Sequence, residues 1–193
     1  MTQFKPFDTN NNKKAGALAI KTYPMKNGRK VAIREALEED FETVIQIWSA
    51  VASERKYILA EKITDLQRKW FIEIMGKKIG FCIVAEVEGK IVANCSLVPR
   101  GLIANKSRHV LDLGMQVLKE YRGLGIGNAL MDYAIEWARE QGYEKISLSV
   151  FSTNKPAINL YKKFGFEIEG VKKKEFKIEG EYVDEVCMGK FLR

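Results

Sequence analysis

Residues 117–128 read Val-Leu-Lys-Glu-Tyr-Arg-Gly-Leu-Gly-Ile-Gly-Asn, and they constrain the chain more than any other stretch. Val117 ends a run from His109 that reads as a strand, and Gly127 opens a run to Gln141 that reads as a helix. Between them lie a basic residue, Arg122, and the alternating glycines Gly123, Gly125 and Gly127. Glycine carries no side chain, so backbone N–H groups can converge on one point. The positive end of the following helix dipole lies at that same point. Strand, turn and helix together make a seat for a phosphate or pyrophosphate.

Three phosphate-binding patterns were tried on this run. A dinucleotide fingerprint, G-x-G-x-x-G, fails because the sixth position is Asn128 counted from Gly123 and Leu130 counted from Gly125. A Walker loop fails because none of the Gly-Lys pairs at 76–77, 89–90 and 189–190 is followed by Ser or Thr. The pattern R-x-x-G-x-G fits at Arg122, Gly125 and Gly127.

The rest of the chain reads as alternating elements. Val31–Arg34 is a short strand, and Asp40 precedes an amphipathic helix with Val44, Ile47, Trp48 and Val51 on one side. A second helix runs from Asp65 to Met75. Strands at Phe81–Val87 and Lys90–Val98 flank the hairpin signal Glu88-Gly89. After the His109–Val117 strand, the next helix aligns Leu130, Ala134, Trp137, Ala138 and Gln141. Lys145–Phe151 alternates as a strand, and Asn154–Phe164 is a short helix with Pro156 in its first turn and Gly165 at its end. Glu167–Lys177 and Tyr182–Phe191 form a last antiparallel pair. The order is β-α-α-β-β-β-α-β-α-β-β, an α/β class with a mixed, mostly antiparallel central sheet flanked by helices.

A second motif follows the glycine run: Asn154-Lys155-Pro156-Ala157-Ile158-Asn159-Leu160-Tyr161, leading into Lys162-Lys163-Phe164-Gly165-Phe166. With both motifs in this order and at this separation, the chain resembles the GNAT superfamily of acetyl-CoA-dependent N-acetyltransferases over residues 30–191. The resemblance implies the acyl-CoA N-acyltransferase fold and transfer of an acetyl group to an amine. It implies that the backbone of Met115, Gln116 and Val117 pairs with the pantetheine arm. The N–H groups of Arg122, Gly123, Leu124, Gly125, Ile126, Gly127 and Asn128 would cradle the pyrophosphate. Asn154 would hydrogen-bond the pantetheine arm across a gap between two parallel strands. Ala157 and Leu160 would line the groove, and Lys163 would reach the nucleotide phosphates. Tyr161 would place its hydroxyl near the sulfur, where a phenol can protonate or hydrogen-bond the leaving thiolate.

One position departs from the pattern. Many relatives carry a glutamate six residues before the position of Val117, and here that residue is Leu111. His109 shares its strand parity, is the sole histidine, and has a reference pKa of about 6.5 that suits proton removal. Asp112 has the opposite parity, and a water chain to a backbone carbonyl is the third route. In the family, the loop between the first two helices overlies the acceptor. There Glu54 is expected to pair with a substrate ammonium, Arg55 with a carboxylate, and Tyr57 to form a wall. Arg108-His109-Val110, Leu113-Gly114-Met115 and Tyr182-Val183-Asp184-Glu185 resemble the branch that acetylates amino acids and related small amines.

Composition excludes several other classes. The net charge is +7, but residues 1–28 hold +4 of it, in lysines 5, 13, 14, 21 and 26 against Asp8. The mildly basic remainder argues against a dedicated nucleic-acid binder. The Lys172–Lys174 run, interleaved with glutamates, reads as a solvated strand edge. No apolar run approaches the ~20 residues of a membrane span, and no signal peptide is apparent. Cys82, Cys95 and Cys187 form neither a disulfide framework nor a metal pair, so buried thiols, a cytoplasmic location and no metal are expected. Residues 1–28, with the run Asn10–Lys14, read as a flexible extension before an acetyltransferase domain over 29–193. The acceptor is expected to be a small-molecule amine attacking acetyl-CoA directly, and the family implies a possible homodimer. The rivals are acetylation of protein N-termini or lysines, and a CoA-binding module without catalysis.

Overall fold

A computed structural model describes residues 19–192 apart from 59, 77–79 and 101–104. The Asn10–Lys14 run lies outside the described residues. The elements are β1 (Lys21–Pro24), β2 (Lys30–Glu35), α1 (Phe41–Ser53), α2 (Asp65–Gly76), β3 (Phe81–Val87), β4 (Lys90–Pro99), β5 (Val110–Val117), α3 (Ile126–Glu140), β6 (Lys145–Phe151), α4 (Lys155–Lys163), β7 (Glu167–Ile178) and β8 (Glu181–Phe191). They build one eight-stranded sheet in the order β1-β2-β3-β4-β5-β6-β8-β7. Every neighbouring pair is antiparallel except β5 and β6.

Strand alternation divides the core into two layers. Ile83, Ala85, Ala93, Cys95, Leu97, Leu111 and Leu113 face α3 and α4, where Leu130, Ala134, Trp137 and Ala138 cover them. The other parity, with Cys82 and Val84, faces Phe41, Val44 and Ile45 of α1 and Phe71 and Met75 of α2. The Phe81 and Trp137 rings stack at 3.8 Å and anchor α3 to β3. The β3–β4 hairpin turns on Glu88 and Gly89, both at positive φ, the geometry whose twist matches the flanking strands.

The extension expected over 1–28 is corrected at its C-terminal end. Lys21–Pro24 pairs with β2, and Met25 is 4% exposed in the core. The Tyr23 hydroxyl donates to Asp132 of α3 at 2.8 Å, and Lys21 pairs with Glu136. This strand is four residues long with no apolar alternation, so tertiary contacts rather than propensity hold it. At the opposite edge, β7 carries Lys172–Lys174 exposed to solvent, as the sequence suggests. Asp184 accepts from the Lys174 N–H at 2.8 Å and from Lys173 Nζ at 3.0 Å, across an irregularity in the β7–β8 register. Lysines and a bulge both deter pairing with another sheet edge.

Candidate active site

The parallel pair β5–β6 runs in register only over Val110–Asp112 against Lys145–Ser147. Beyond Asp112 the two strands diverge, while β4 continues to pair with β5 through Val117. A slot therefore opens through the sheet between Leu113–Val117 and Leu148–Phe151. The Leu118 N–H donates to the Val92 carbonyl at 3.0 Å, so Val117 and Ala93 form a non-hydrogen-bonded pair. Peptide groups alternate in direction along such a ladder. Those of Met115 and Val117 face the slot, and those of Gln116 face β4. Two of the three residues expected to pair with a pantetheine arm are thus presented to it. Gln116 is not; its side chain lies on the α1–α2 side, where it accepts from Asn94 Nδ2 at 2.9 Å.

The glycine run closes one end of the slot. Gly125 is the residue preceding α3 and sits at φ +99°, with Gly123 at +74°, a region that L side chains rarely adopt. Gly127 is needed for a different reason: a Cβ there would lie 3.0 Å from Leu160 Cδ2 and 3.8 Å from Met115 Sδ. The ends of the expected N–H cradle are engaged within the chain. Arg122 N–H donates to the Lys119 carbonyl at 3.3 Å and Asn128 N–H to the Gly125 carbonyl at 3.0 Å. The N–H groups of Gly123 to Gly127 remain as candidates for the cradle, with Ile126 and Gly127 in the first helical turn, whose N–H groups have no partner in their own helix. Leu124 packs against the core and Ile126 is 1% exposed, so both act through the backbone. The Leu124 carbonyl accepts from the Lys26 N–H at 3.1 Å, which ties the β1–β2 turn to this loop.

Helix α4 supplies the opposite wall. Asn154 caps it, its Oδ1 accepting from the Ala157 N–H at 3.3 Å; the cap leaves the Asn154 Nδ2 donors for a ligand. Ala157 and Leu160 pack at the edge of the core facing α3. Lys163 Nζ donates to Asn128 Oδ1 at 2.6 Å, so a cation stands beside the start of α3. Tyr161 is 8% exposed, with its ring 5.8 Å from that of Phe166. Burial, and then the neighbouring Cys95, push the phenol well above its ordinary range. It stays a neutral hydrogen-bond donor throughout the physiological range. Burial likewise pushes the Cys82 thiol to about 12 and raises that of Cys95, which removes both as nucleophiles. Cys187 is half-buried, a departure from the expected burial of all three.

On the α1–α2 side of the sheet a cavity of about 300 Å³ adjoins the slot. Trp48 of α1 and Tyr57 of the following loop roof it, while Gln116, Phe151, Phe176 and Glu185 floor it. Tyr57, expected as a wall of the acceptor site, lines this cavity. Glu54 is corrected: it does not line the cavity but pairs with Arg122, at 2.8 Å to Nη1 and 2.5 Å to Nη2. That hydrogen bond, ahead of burial, holds the Glu54 carboxyl below its usual range. Arg122 also donates from Nε to the Val117 carbonyl at 2.9 Å, and its guanidinium lies 4.7 Å from the Tyr57 ring centre. One side chain therefore braces the acceptor loop to the donor turn. Arg55 points elsewhere, 3.7 Å from Glu61.

The expected general base is also corrected. His109 lies in the turn before β5, where its carbonyl accepts from the N–H groups of Glu144 and Lys145. Seven residues separate it from Gln116, roughly 23 Å along a strand. The parity argument that favoured it leads into the core: Leu111 is 0% exposed on the α3 side. Asp112 has the cavity-facing parity, yet it sits in the paired part of β5 and is bound by Arg100, at 3.1 Å from Nε. Sequence reading missed Glu185, the carboxylate that does line the cavity. Its signal was available: it shares a strand face with Val183 and Cys187, opposite the face that carries the core residues Val186 and Met188. A larger hollow of about 470 Å³ lies on the outer flank of α3, among Asp132, Glu136, Arg139, Lys163 and Lys190.

Residues 31–166 match the family profile described as the acetyltransferase (GNAT) family. The chain is 32% identical over 170 residues to the L-amino acid N-acetyltransferase AaaT of Escherichia coli, covering 83% of this chain and 98% of that one. Among solved structures it is similar to a ribosomal-protein-alanine N-acetyltransferase from Brucella melitensis, with TM-score 0.74, 29% identity, and coverage of 82% of this chain and 98% of that one. It shares the fold of a phosphinothricin acetyltransferase from Sinorhizobium meliloti in complex with acetyl-CoA, at TM-score 0.76, 20% identity, and coverage of 83% and 88%.

Proposed function

The chain belongs to the acetyltransferase (GNAT) family and uses acetyl-CoA, and on that footing we propose that its acceptor is the primary amine of a small molecule, an amino acid or related amine, attacking directly with both substrates bound. The observation that carries this reading is the 300 Å³ cavity at the slot, walled by Trp48, Tyr57, Phe151 and Phe176. It is at the small end of sites that hold small molecules. A polypeptide acceptor would call for a groove as wide as a peptide. The similarity to an L-amino acid N-acetyltransferase supports the same reading. Acetylation of a protein N-terminus is the second reading, favoured by the similarity to a ribosomal-protein-alanine N-acetyltransferase.

Acetyl-CoA supplies a thioester whose carbonyl carbon is open to an amine and whose sulfur leaves as a thiolate. The chain's part is binding, orientation and charge. The N–H groups of Gly123 to Gly127 and the α3 dipole hold the diphosphate, with Lys163 beside them. The peptide groups of Met115 and Val117 and the Asn154 amide hold the amide-bearing arm along the slot. Tyr161 faces the sulfur. Even an unperturbed phenol, at about 10, holds its proton more tightly than a thiol at about 8.5. Burial widens that gap, so Tyr161 stabilises the thiolate by hydrogen bonding, and the thiolate's proton comes finally from solvent. The attacking nitrogen sheds its proton to water through the cavity mouth.

The deciding experiment is thiol release from acetyl-CoA against amino acids, polyamines, aminoacyl analogues and short peptides. Amine-dependent release that is faster with a small amine than with any peptide is the expected result. Release with peptides alone would establish the protein-acetylating reading. Acetyl-CoA binding with no amine-dependent release would mark a CoA-binding module.

A further inference from the structure

We propose that Glu185 captures the acceptor amine as its ammonium, which releases a proton to solvent before the neutral nitrogen attacks the thioester, and that it selects amines whose carboxylate is absent or masked. The inference deepens the small-molecule reading and rests on it. Glu185 is 8% exposed and lines the cavity from β8, opposite Phe151 of β6. A carboxylate this enclosed needs partners. Its close partner is Lys172 of β7, whose Nζ lies 2.6 Å from Oε2, and Ser149 lines the same cavity. Lys172 holds it in the ionised form. Lys172 reaches in from an edge strand with its side chain 56% exposed, so it occupies one side of the carboxylate from outside.

The remaining cavity wall suits a cation on an apolar body. Trp48, Tyr57, Phe151 and Phe176 present aromatic rings, and the Phe151 and Phe176 centres lie 5.0 Å apart. Ring faces attract cations, most strongly where water is excluded. Gln67 and Gln116 are neutral. Among the described residues no Lys or Arg lines the cavity. Three cations around the cavity are engaged: Arg122 by Glu54 and the Val117 carbonyl, Arg55 by Glu61, and Lys172 by Glu185 itself. Lys56, next to Tyr57, is exposed to solvent outside the lining. Inside the cavity a free α-carboxylate would therefore meet the Glu185 carboxylate and, among the described lining residues, no Lys or Arg. An arylalkylamine, or an amino acid whose carboxylate is an amide, meets neither penalty.

The test is a matched set of acceptors: phenethylamine, phenylalaninamide and phenylalanine, each assayed by thiol release at saturating acetyl-CoA. The wild-type chain is expected to favour the first two over phenylalanine by at least tenfold in kcat/KM. E185Q should lower kcat/KM for phenethylamine about tenfold, through KM, with the acetyl-CoA Kd from calorimetry unchanged within twofold. K172M should do the reverse and lower the KM for phenethylamine severalfold, because it unmasks the carboxylate; this variant keeps the test open if E185Q does not fold. Preference for phenylalanine over its amide, or an unchanged amine KM in E185Q, would overturn the anchoring role and leave small-molecule acetylation standing. Thiol release with a peptide and with none of the three would overturn that parent reading, and this inference with it.

Discussion

The two sides of the slot between β5 and β6 are built by opposite means. The donor side is backbone: peptide groups of Met115 and Val117, then N–H groups from Gly123 to Gly127, supplied by one continuous segment. The acceptor side is side chains: Trp48, Tyr57, Gln116, Phe151, Phe176 and Glu185, drawn from six separate places along the chain. A diphosphate needs many equivalent donors at close range, which glycine-rich backbone provides whatever lies around it. An amine needs shape and a few placed charges, which only assembled side chains provide. Arg122 belongs to both sides, since it opens the donor turn yet holds Glu54 and Tyr57 of the acceptor loop.

That division can be broken or sharpened by substitution. The largest effect is expected at Tyr161, for which we propose a role at the leaving group rather than on either binding side. Tyr161→Phe should lower kcat by about 100-fold while acetyl-CoA affinity stays within twofold by calorimetry. Unchanged turnover with a good acceptor would remove Tyr161 from the chemistry. Next, Gly125→Val should weaken acetyl-CoA binding by roughly 5- to 30-fold, since a β-branched residue at φ +99° carries a strain of about 1–2 kcal/mol. Its acceptor KM should barely move; an equal loss on both sides would show that the donor side is not built independently.

Arg122→Met probes the one shared side chain. It should raise the acceptor KM by about fivefold, in line with the ~1 kcal/mol worth of a partly buried charged contact, and change acetyl-CoA affinity less. The reverse ranking would place Arg122 on the donor side alone. The smallest effect concerns stability. Arg122 lowers the folded-state pKa of Glu54, so the pair stabilises the fold fully above the unfolded value of about 4.3 and loses that contribution as pH falls through the lowered folded value. Glu54→Gln should therefore melt about 2–4 °C below wild type at pH 7 for a contribution near 1 kcal/mol. The gap should close below about pH 4. A gap that stays constant from pH 7 to 3 would show that the pair is not ionic in its effect.

Legibility followed the same division. Glu88-Gly89, Asn154 with Pro156, and the 3–4 spacing in α1 were readable because each depends on neighbours in sequence. β1 was not readable: Lys-Thr-Tyr-Pro has no alternation, and what holds it is Asp132 and Glu136 on α3. Glu54 was read as facing substrate because the loop's sequence contains nothing that reveals Arg122, 68 residues away, as its partner. His109 stood as a base on strand parity and on being the sole histidine. Parity is a property of the strand, but which parity faces the acceptor was set by the layer that packs on each face.

The sequence by itself determined the order of the elements after β1, the glycine turn that opens α3, and the family, because closely spaced glycines and a capped helix dictate local backbone geometry. The tertiary structure decided where β5 and β6 part, that Arg122 joins the two loops, and that Glu185 lines the cavity while His109 lies in the turn before β5. Those outcomes depend on strand register and on which face each helix covers. Both are fixed by long-range packing that no short stretch of residues encodes.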